Sequence, residues 1–453
     1  MTVQNETELS TQPVFAARIG IDWADKKHFW TMQTSDGKIE RGQLEHTPEA
    51  IELWVAGLAQ RFSGQPIAVA LEQSRGPLIA MLSRYRSLYL FPLHPNKLDS
   101  YRKSVYPSGA KSDPRDADLI LDYLIKHPER LRGLQPDTVE TRTLQLLVEE
   151  RRRLVDQHTS QVQILTQCLK LSFPQILTWF DSPAMPLVLE LLKSWPTLAA
   201  LRKVSDKKLR QFFHDHNCRS EEKIVERLEG IRKAVDAIDD PALIKVSTLS
   251  IQASVGLLLQ YQISIAEFDS QIAVVFKAHP DRVIVESFPG AGPVLEPRLI
   301  AAVGSIRDRY QSAADMASFV GIAPVTVASG NSILVHWRWS CSTFVRQTFH
   351  EWAGCSIRTC EWAREHYDLQ RAKGKTHHAA VRSVAFKWIR IFFRCWRDRV
   401  PYSETLYLES RQKRSAVSPA KATQVPAADA PNKPVNLQWK TVGGFSKLSA
   451  FSS

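Results

Sequence analysis

Cysteine is scarce in this chain: six in 453 residues (Cys168, Cys218, Cys341, Cys355, Cys360 and Cys395), no two in a CxxC pair. That excludes a disulfide framework or a zinc ribbon and reads as the reduced thiols of an intracellular protein. The opening residues MTVQNETELSTQP lack the basic stretch and apolar run of a secretory leader. No apolar run approaches the about 20 residues of a membrane span, so the expectation is a soluble, cytoplasmic protein with no membrane partner. There is no internal repeat. HDHNC at His214–Cys218 matches no standard metal-ligand spacing, and no second ligand pair follows it.

What is present is length, positive charge and tryptophan. The chain is about three times a typical domain of about 150 residues. Hydrophobic residues make up 44% and charged residues 23%, which excludes a wholly disordered chain. Net charge is +12, and there are twelve Trp. Residues 331–414 hold sixteen Lys/Arg against seven Asp/Glu, a net of +9, and six of the Trp. Such a segment is either a solvated basic face or a phosphate-binding surface on which flat rings can stack on bases; the concentration favours the second.

Periodicity divides the chain. VFAARIGI, Val14–Ile21, reads as a buried strand ending in Asp22. His28–Thr34 and Lys38–Leu44 read as two more strands around an SDGK turn. A helix capped by Thr47 follows, then the strand IAVAL (Ile67–Leu71) ahead of Glu72, a helix near Pro77, and a short strand at Ser87–Pro92. That order is the order of a ribonuclease-H-like (RuvC-like) α/β domain, placed at residues 14–135. A long helix with Leu144, Leu147, Val148, Leu154, Val155, Val162 and Leu165 on one stripe opens a helical, coiled-coil-like middle at 136–282, either a spacer or a dimerising arm. A third, helical unit spans 283–412. The Ala-, Pro- and Lys-rich residues 413–453 read as a tail with little to bury. The fold class is therefore α/β plus α.

The candidate chemistry begins with carboxylates. Asp22 and Glu72 each close a strand, and those strands are neighbours in a ribonuclease-H-like sheet. Asp113 and Asp116, three apart in SDPRDADLI, share one face at a helix start. Four clustered carboxylates repel one another and call for cations; two Mg2+ about 3.5–4 Å apart fit a phosphodiester substrate. Any one of these acids can instead be a cap, and Asp113 before Pro114 is a plausible one. Lys97, Arg102, Lys103, Lys111 and Arg115 place positive charge beside the motif, which suits a polyanion. In SFPGAGPVLEPRLIAAVG, Gly290 and Gly292 permit a tight turn whose amides can point at a phosphate, as in a helix-hairpin-helix element. In GIAPVTVASGN, Ser329 precedes a glycine just before the basic segment and is a candidate nucleophile; a plain turn is the ordinary alternative. His377 and His378 in GKTHHAAVR read as the start of a basic helix.

These motifs, in this order, resemble the DEDD transposases of bacterial insertion sequences, recombinases guided by a bridge RNA. IGIDWADKKH resembles the family's opening strand and ALEQSRGP its second acidic strand. HPNKLDSYRKSVYPSGAKSDPRDADLIL resembles its P-x-x-V…K-[ST]-D-x-x-D-A block. FPGAGPVLEPRLIAAVG, ASFVGIAPVTVASG and YDLQRAKGKTHHAAVRSVAFKWIRIFF resemble its C-terminal transposase domain. The resemblance implies that Asp22, Glu72, Asp113 and Asp116 hold Mg2+. It implies that Ser329 becomes covalently joined to DNA, and that the acidic centre of one subunit works with the serine of another. Donor and target DNA, a non-coding guide RNA, a homodimer or homotetramer and a nucleoid-associated location follow as expectations. Arg338, Arg346, Lys373 and Lys375 become candidate nucleic-acid contacts. In one place the chain departs from the pattern. The family's stretch after the serine reads roughly G-R-I-S-K-x-G, whereas here NSILVHWRWSCSTF lacks the glycines. Arg338 stands for the usual Arg, and Ser332, Ser340 and Ser342 are alternative nucleophile positions. Two rival readings are a RuvC-like nuclease that hydrolyses with water and a domesticated binder without catalysis. Four intact carboxylates speak against the binder, since negative charge beside phosphate weakens binding.

Overall fold

The computed structural model describes residues 13–73, 75–106, 113–329, 332–336 and 338–417, with backbone alone for Asp113, Ser332, Ile333 and 411–417. It is a mixed α/β protein with a mostly helical body. The chain divides into two compact units: one up to Val275 plus Val303–Arg309, the other Phe276–Ala302 plus the chain from Tyr310 onward.

The first unit opens with a five-stranded sheet of β1 (Ala17–Asp22), β2 (Lys27–Thr34), β3 (Ile39–Glu45), β4 (Ile67–Leu71) and β5 (Leu88–Pro92), ordered β3-β2-β1-β4-β5. β1 to β3 form an antiparallel meander, and β4 and β5 join β1 in parallel. Helices α1 (Pro48–Arg61), α2 (Pro77–Leu82), α3 (Pro95–Val105) and α4 (Asp113–Lys126) accompany it. Thr47 caps α1 by accepting from the Ala50 amide, as the sequence predicts.

Strand alternation splits the core. Ala17, Ile19 and Ile21 of β1 and Ile67, Val69 and Leu71 of β4 pack with Ile51 and Val55 of α1 and Leu78 and Leu82 of α2. The opposite face carries Ala68, Ala70 and Phe91 and packs with Leu98 of α3 and Leu119, Ile120 and Leu124 of α4.

The unit continues as helices: α5 (Val139–Ser172), α6 (Ile176–Trp179), α7 (Pro186–Ser194), α8 (Leu198–Arg202), α9 (Asp206–Asp215), α10 (Glu221–Lys233) and α11 (Pro241–Ala278). α5 and α11 are joined by Gln161 donating to Ser254 Oγ at 2.8 Å and by an Arg151–Asp269 ion pair. One expectation fails here. α11 is long and apolar enough, by length and composition, to cross a membrane. Residues 246–266 contain no Asp, Glu, Lys or Arg, but Ser, Thr and Gln interrupt them every few positions and hide the run from a reading of continuous apolar residues. One face of the helix, Ile251, Val255 and Leu258, lies in the helical core. Segment Val303–Arg309 is tied into this unit by Asp137, which accepts from the Ser305 amide at 2.6 Å and from Arg309 Nη2 at 2.9 Å.

The second unit holds α12 (Arg282–Glu286), α13 (Gly292–Val303), α14 (Ala313–Phe319), the hairpin β6 (Val325–Ser329) and β7 (Ser332–His336), then α15 (Thr343–Ser356), α16 (Glu361–Ala372), α17 (His377–Asp398) and α18 (Glu404–Val417). Its centre is aromatic: Phe288 packs against Trp352, Trp388, Phe392 and Tyr402. Trp352, Trp362, Trp388 and Trp396 are all buried. These four Trp therefore build the core, and the stacking role suggested by composition does not apply to them; Trp339, 77% exposed, stands outside it. Aromatic count could not make that distinction, because the same rings suit a core and a base.

Candidate active site

Asp22 is the last residue of β1 and Glu72 the first after β4. The two strands are parallel, in register Ile21↔Leu71, so the acids leave at the same end of adjacent strands about 4.8 Å apart. Alternation puts both on the α4 side: Ile19, Ile21, Val69 and Leu71 face α1 and α2, and the intervening positions face α4.

Gly20 explains how close α4 comes. A methyl carbon at Gly20 would overlap the Ala117 carbonyl oxygen and the Leu121 amide and lie 3.0 Å from Leu121 Cα. The first turns of α4 thus lie on bare backbone two residues before Asp22, with Ala68 and Ala70 as similarly small neighbours on that face. Asp118 locks the helix from the side by accepting from Thr31 Oγ1 at 2.7 Å and Arg41 Nε at 2.9 Å.

Asp116, one residue before the carbonyl over Gly20, is buried at 1% exposure and accepts from Arg102 Nε at 3.0 Å. Arg102 is itself turned inward and also lies 3.5 Å from Asp99. It is the counter-ion of an acid here, not a cation held out to solvent. Lys97 and Arg115 are exposed, and Lys103 pairs with Asp99 at 2.7 Å. Lys111 and the Asp113 side chain lie outside the described residues. Among the described residues, no three His, Cys, Asp or Glu side chains converge closely enough to hold an ion. The donor chemistry nevertheless fits magnesium: hard carboxylate oxygens, two of them on buried residues (Asp22 and Asp116), beside a countercharge.

The segment after Asp22 is braced by His28, a residue the sequence reading did not single out. The Ala24 amide donates to His28 Nδ1 at 3.2 Å, and His28 Nε2 lies 2.9 Å from His46 Nδ1. Burial, then the neighbouring His46, holds the His28 pKa down to about 4. Because the unfolded chain takes up this proton near pH 6.5, the ring favours the fold above that pH and the benefit disappears as pH falls toward 4. Urea unfolding of the wild type should therefore show stability falling between about pH 6.5 and 4. A His28→Gln protein should be less stable at pH 7 and lose less on acidification; equal losses in the two proteins would remove His28 from the account.

In the second unit Ser329 ends β6 and is exposed. It pairs with Ser332 across the hairpin, with two residues between them. Ser342, an alternative position, caps α15 by accepting from the Val345 amide; Ser340 is exposed, and the Ser332 side chain is outside the described set. The Arg338 carbonyl accepts from Arg346 Nη1 at 3.0 Å. Lys373 and Lys375 are exposed around Gly374. Gly290 has φ +76°, and a Cβ there would lie 2.7 Å from the Ser356 amide. Its bare backbone is thus required by packing on α15, whereas Gly292 opens α13 into free space.

Two family models match the chain. One, described as a transposase and built on IS110-type DEDD transposases, covers residues 19–174; the other, the transposase IS116/IS110/IS902 family, covers 283–368. Similar curated proteins include the mini-circle putative transposase for IS117 of Streptomyces coelicolor, 26% identical over 393 residues, 85% of this chain and 95% of the relative. An uncharacterized 43.6 kDa protein of insertion element IS110 from the same organism is 25% identical over 86% of this chain and 96% of its own length. An uncharacterized 42 kDa protein of insertion element IS900 from Mycobacterium paratuberculosis is 25% identical over 86% and 97%.

Proposed function

Since this chain belongs to the IS110 family of DEDD transposases, we propose that it cuts and rejoins DNA at an acidic centre of Asp22, Glu72, Asp113 and Asp116, with Ser329 as nucleophile. The observation that carries this reading is the shared end and shared face of Asp22 and Glu72, under the helix that bears the other two acids. The order β3-β2-β1-β4-β5 is compatible with a ribonuclease-H-like domain.

The four carboxylates would hold two magnesium ions, which when bound polarise the phosphodiester and neutralise charge on its oxygens. Arg102 balances Asp116 and holds its carboxylate in place. Ser329 Oγ, exposed at the end of β6, attacks phosphorus: the Oγ–P bond forms and the bond from phosphorus to one sugar oxygen breaks. The serine proton ends on the released sugar oxygen, leaving a free hydroxyl. Attack on the phosphoserine by the hydroxyl of a partner strand restores the serine and joins the exchanged strands. We assign sequence choice to a non-coding guide RNA, with Lys97, Arg115, Lys373 and Lys375 among the exposed cations available to either nucleic acid. A homo-oligomer acting in the cytoplasm completes the reading.

The test is to purify the protein from cells carrying its element, sequence any RNA that accompanies it, and trap a protein–DNA adduct with magnesium present. Mass spectrometry is expected to find the nucleotide on Ser329. An adduct on another residue would overturn the serine assignment, and DNA cleavage with no adduct at all would favour hydrolysis by water.

A further inference from the structure

Along the contact of α15 with α17, four side chains that are or can become cations face one another. Arg346 and His350 share a face of α15 at i, i+4; His378 and Arg382 do the same on α17. His350 Nε2 lies 3.3 Å from His378 Nδ1, with ring centroids 5.5 Å apart. His377 lies edge-on to His378, ring centroids 5.0 Å apart, and is held by the Tyr367 hydroxyl at 2.8 Å. The cluster sits at the first turns of a 22-residue helix whose Thr376 N-cap makes no side-chain cap bond, just after the exposed Lys373 and Lys375. A helix start with spare amides adds further positive potential. The acid facing His350, Glu351, already accepts from Arg298 Nη1 at 2.5 Å and Gln347 Nε2 at 2.7 Å.

Assembled without an anion, such a cluster repels itself. Burial first, then His378, Arg382 and His377, presses the His350 pKa down to about 4, with Glu351 opposing weakly. Burial and the nearby Arg346 likewise lower the Arg382 pKa. An anion seated here removes the penalty, and the ring nitrogens then gain from carrying protons.

We propose that His350, His378, Arg346 and Arg382, at the start of α17, form a site for one backbone phosphate of DNA, and that DNA binding draws a proton from solvent onto the histidine pair. The inference rests on the reading that the protein acts on DNA, but needs no catalysis. Arg346 ties the site to the hairpin carrying the proposed nucleophile, since it also bonds the Arg338 carbonyl that follows β7.

The experiment measures binding of a labelled 30-base-pair duplex of arbitrary sequence to the full-length protein by fluorescence anisotropy, at fixed ionic strength from pH 8 to 6 and across a salt series. A single-stranded RNA of equal length runs in parallel. Wild-type affinity for the duplex is expected to rise up to about tenfold on going from pH 8 to 6. His350→Gln with His378→Gln should flatten that rise. Arg382→Gln should reduce the salt slope by about one ion while keeping part of the pH dependence. Because His350 is half-buried, His378→Gln alone, at an exposed position, provides the variant whose folding is not at issue. The proposal fails if these proteins keep the wild-type pH rise and salt slope, or if proton-linked binding occurs with RNA and not with the duplex. Asp22→Asn protein should keep the wild-type pH rise and salt slope, so loss of cleavage and loss of this site are read separately.

Discussion

Asp22→Asn protein is expected to fold, to bind DNA, and to give no cleaved or joined product above background, a loss of at least about a thousandfold. The substitution keeps shape and one oxygen but removes the charge that a divalent ion needs. It sits at a β1 end whose pairing with β2 and β4 is made by backbone. Removing one negative charge beside Asp116 and Glu72 relieves repulsion, so thermal unfolding should stay within a few degrees of wild type. The measurement is strand transfer between donor and target DNA in magnesium, with melting recorded alongside. Activity within tenfold of wild type would take Asp22 out of the centre and remove the main support for an acidic cluster.

Gly20→Ala tests the same centre through packing alone. The added methyl meets the backbone of Ala117 and Leu121, which cannot move aside as a long side chain can. Overpacking of this kind costs about 1–3 kcal/mol. If the sheet stays intact, α4 lifts and carries Asp113 and Asp116 away from Asp22; a displacement near 1 Å costs about a hundredfold in rate. Strand transfer should therefore fall far more than the folded fraction measured by urea unfolding. Gly57→Ala is the control: the residue lies inside α1 with nothing within 4 Å of the added carbon, and alanine favours a helix by about 1 kcal/mol. A Gly20→Ala protein with normal activity would show that α4 does not need this close approach.

Secondary structure was largely legible because its causes are local. The buried apolar runs VFAARIGI and IAVAL, the Thr47 cap and the stripe of α5 all correspond to elements of the structure. Several side-chain roles were not legible. Arg102 reads as one more cation in a basic run, yet it is spent on buried Asp116, because α3 and α4 bring residues fourteen apart together. The Trp-rich basic segment suggested stacking on bases, yet Trp352, Trp362, Trp388 and Trp396 fill a core. Gly290 reads as a phosphate-turn glycine, while its Cα is needed against the Ser356 amide. His28 and Gly20 carried a faint signal in IGIDWADKKH, a glycine between isoleucines and a histidine six residues past the acid. Neither pattern says what lies opposite.

By itself, the order of strands, acids and basic helices along the chain determined the class of the protein and its candidate site residues, since periodicity and charge are written residue by residue. Only the tertiary structure decided which face each acid takes, which cation is neutralised, and that two histidines from different helices meet beside two arginines. Those outcomes depend on register and on close approach between segments distant in sequence, and a one-residue slip of a strand would have turned Asp22 to the other side of the sheet.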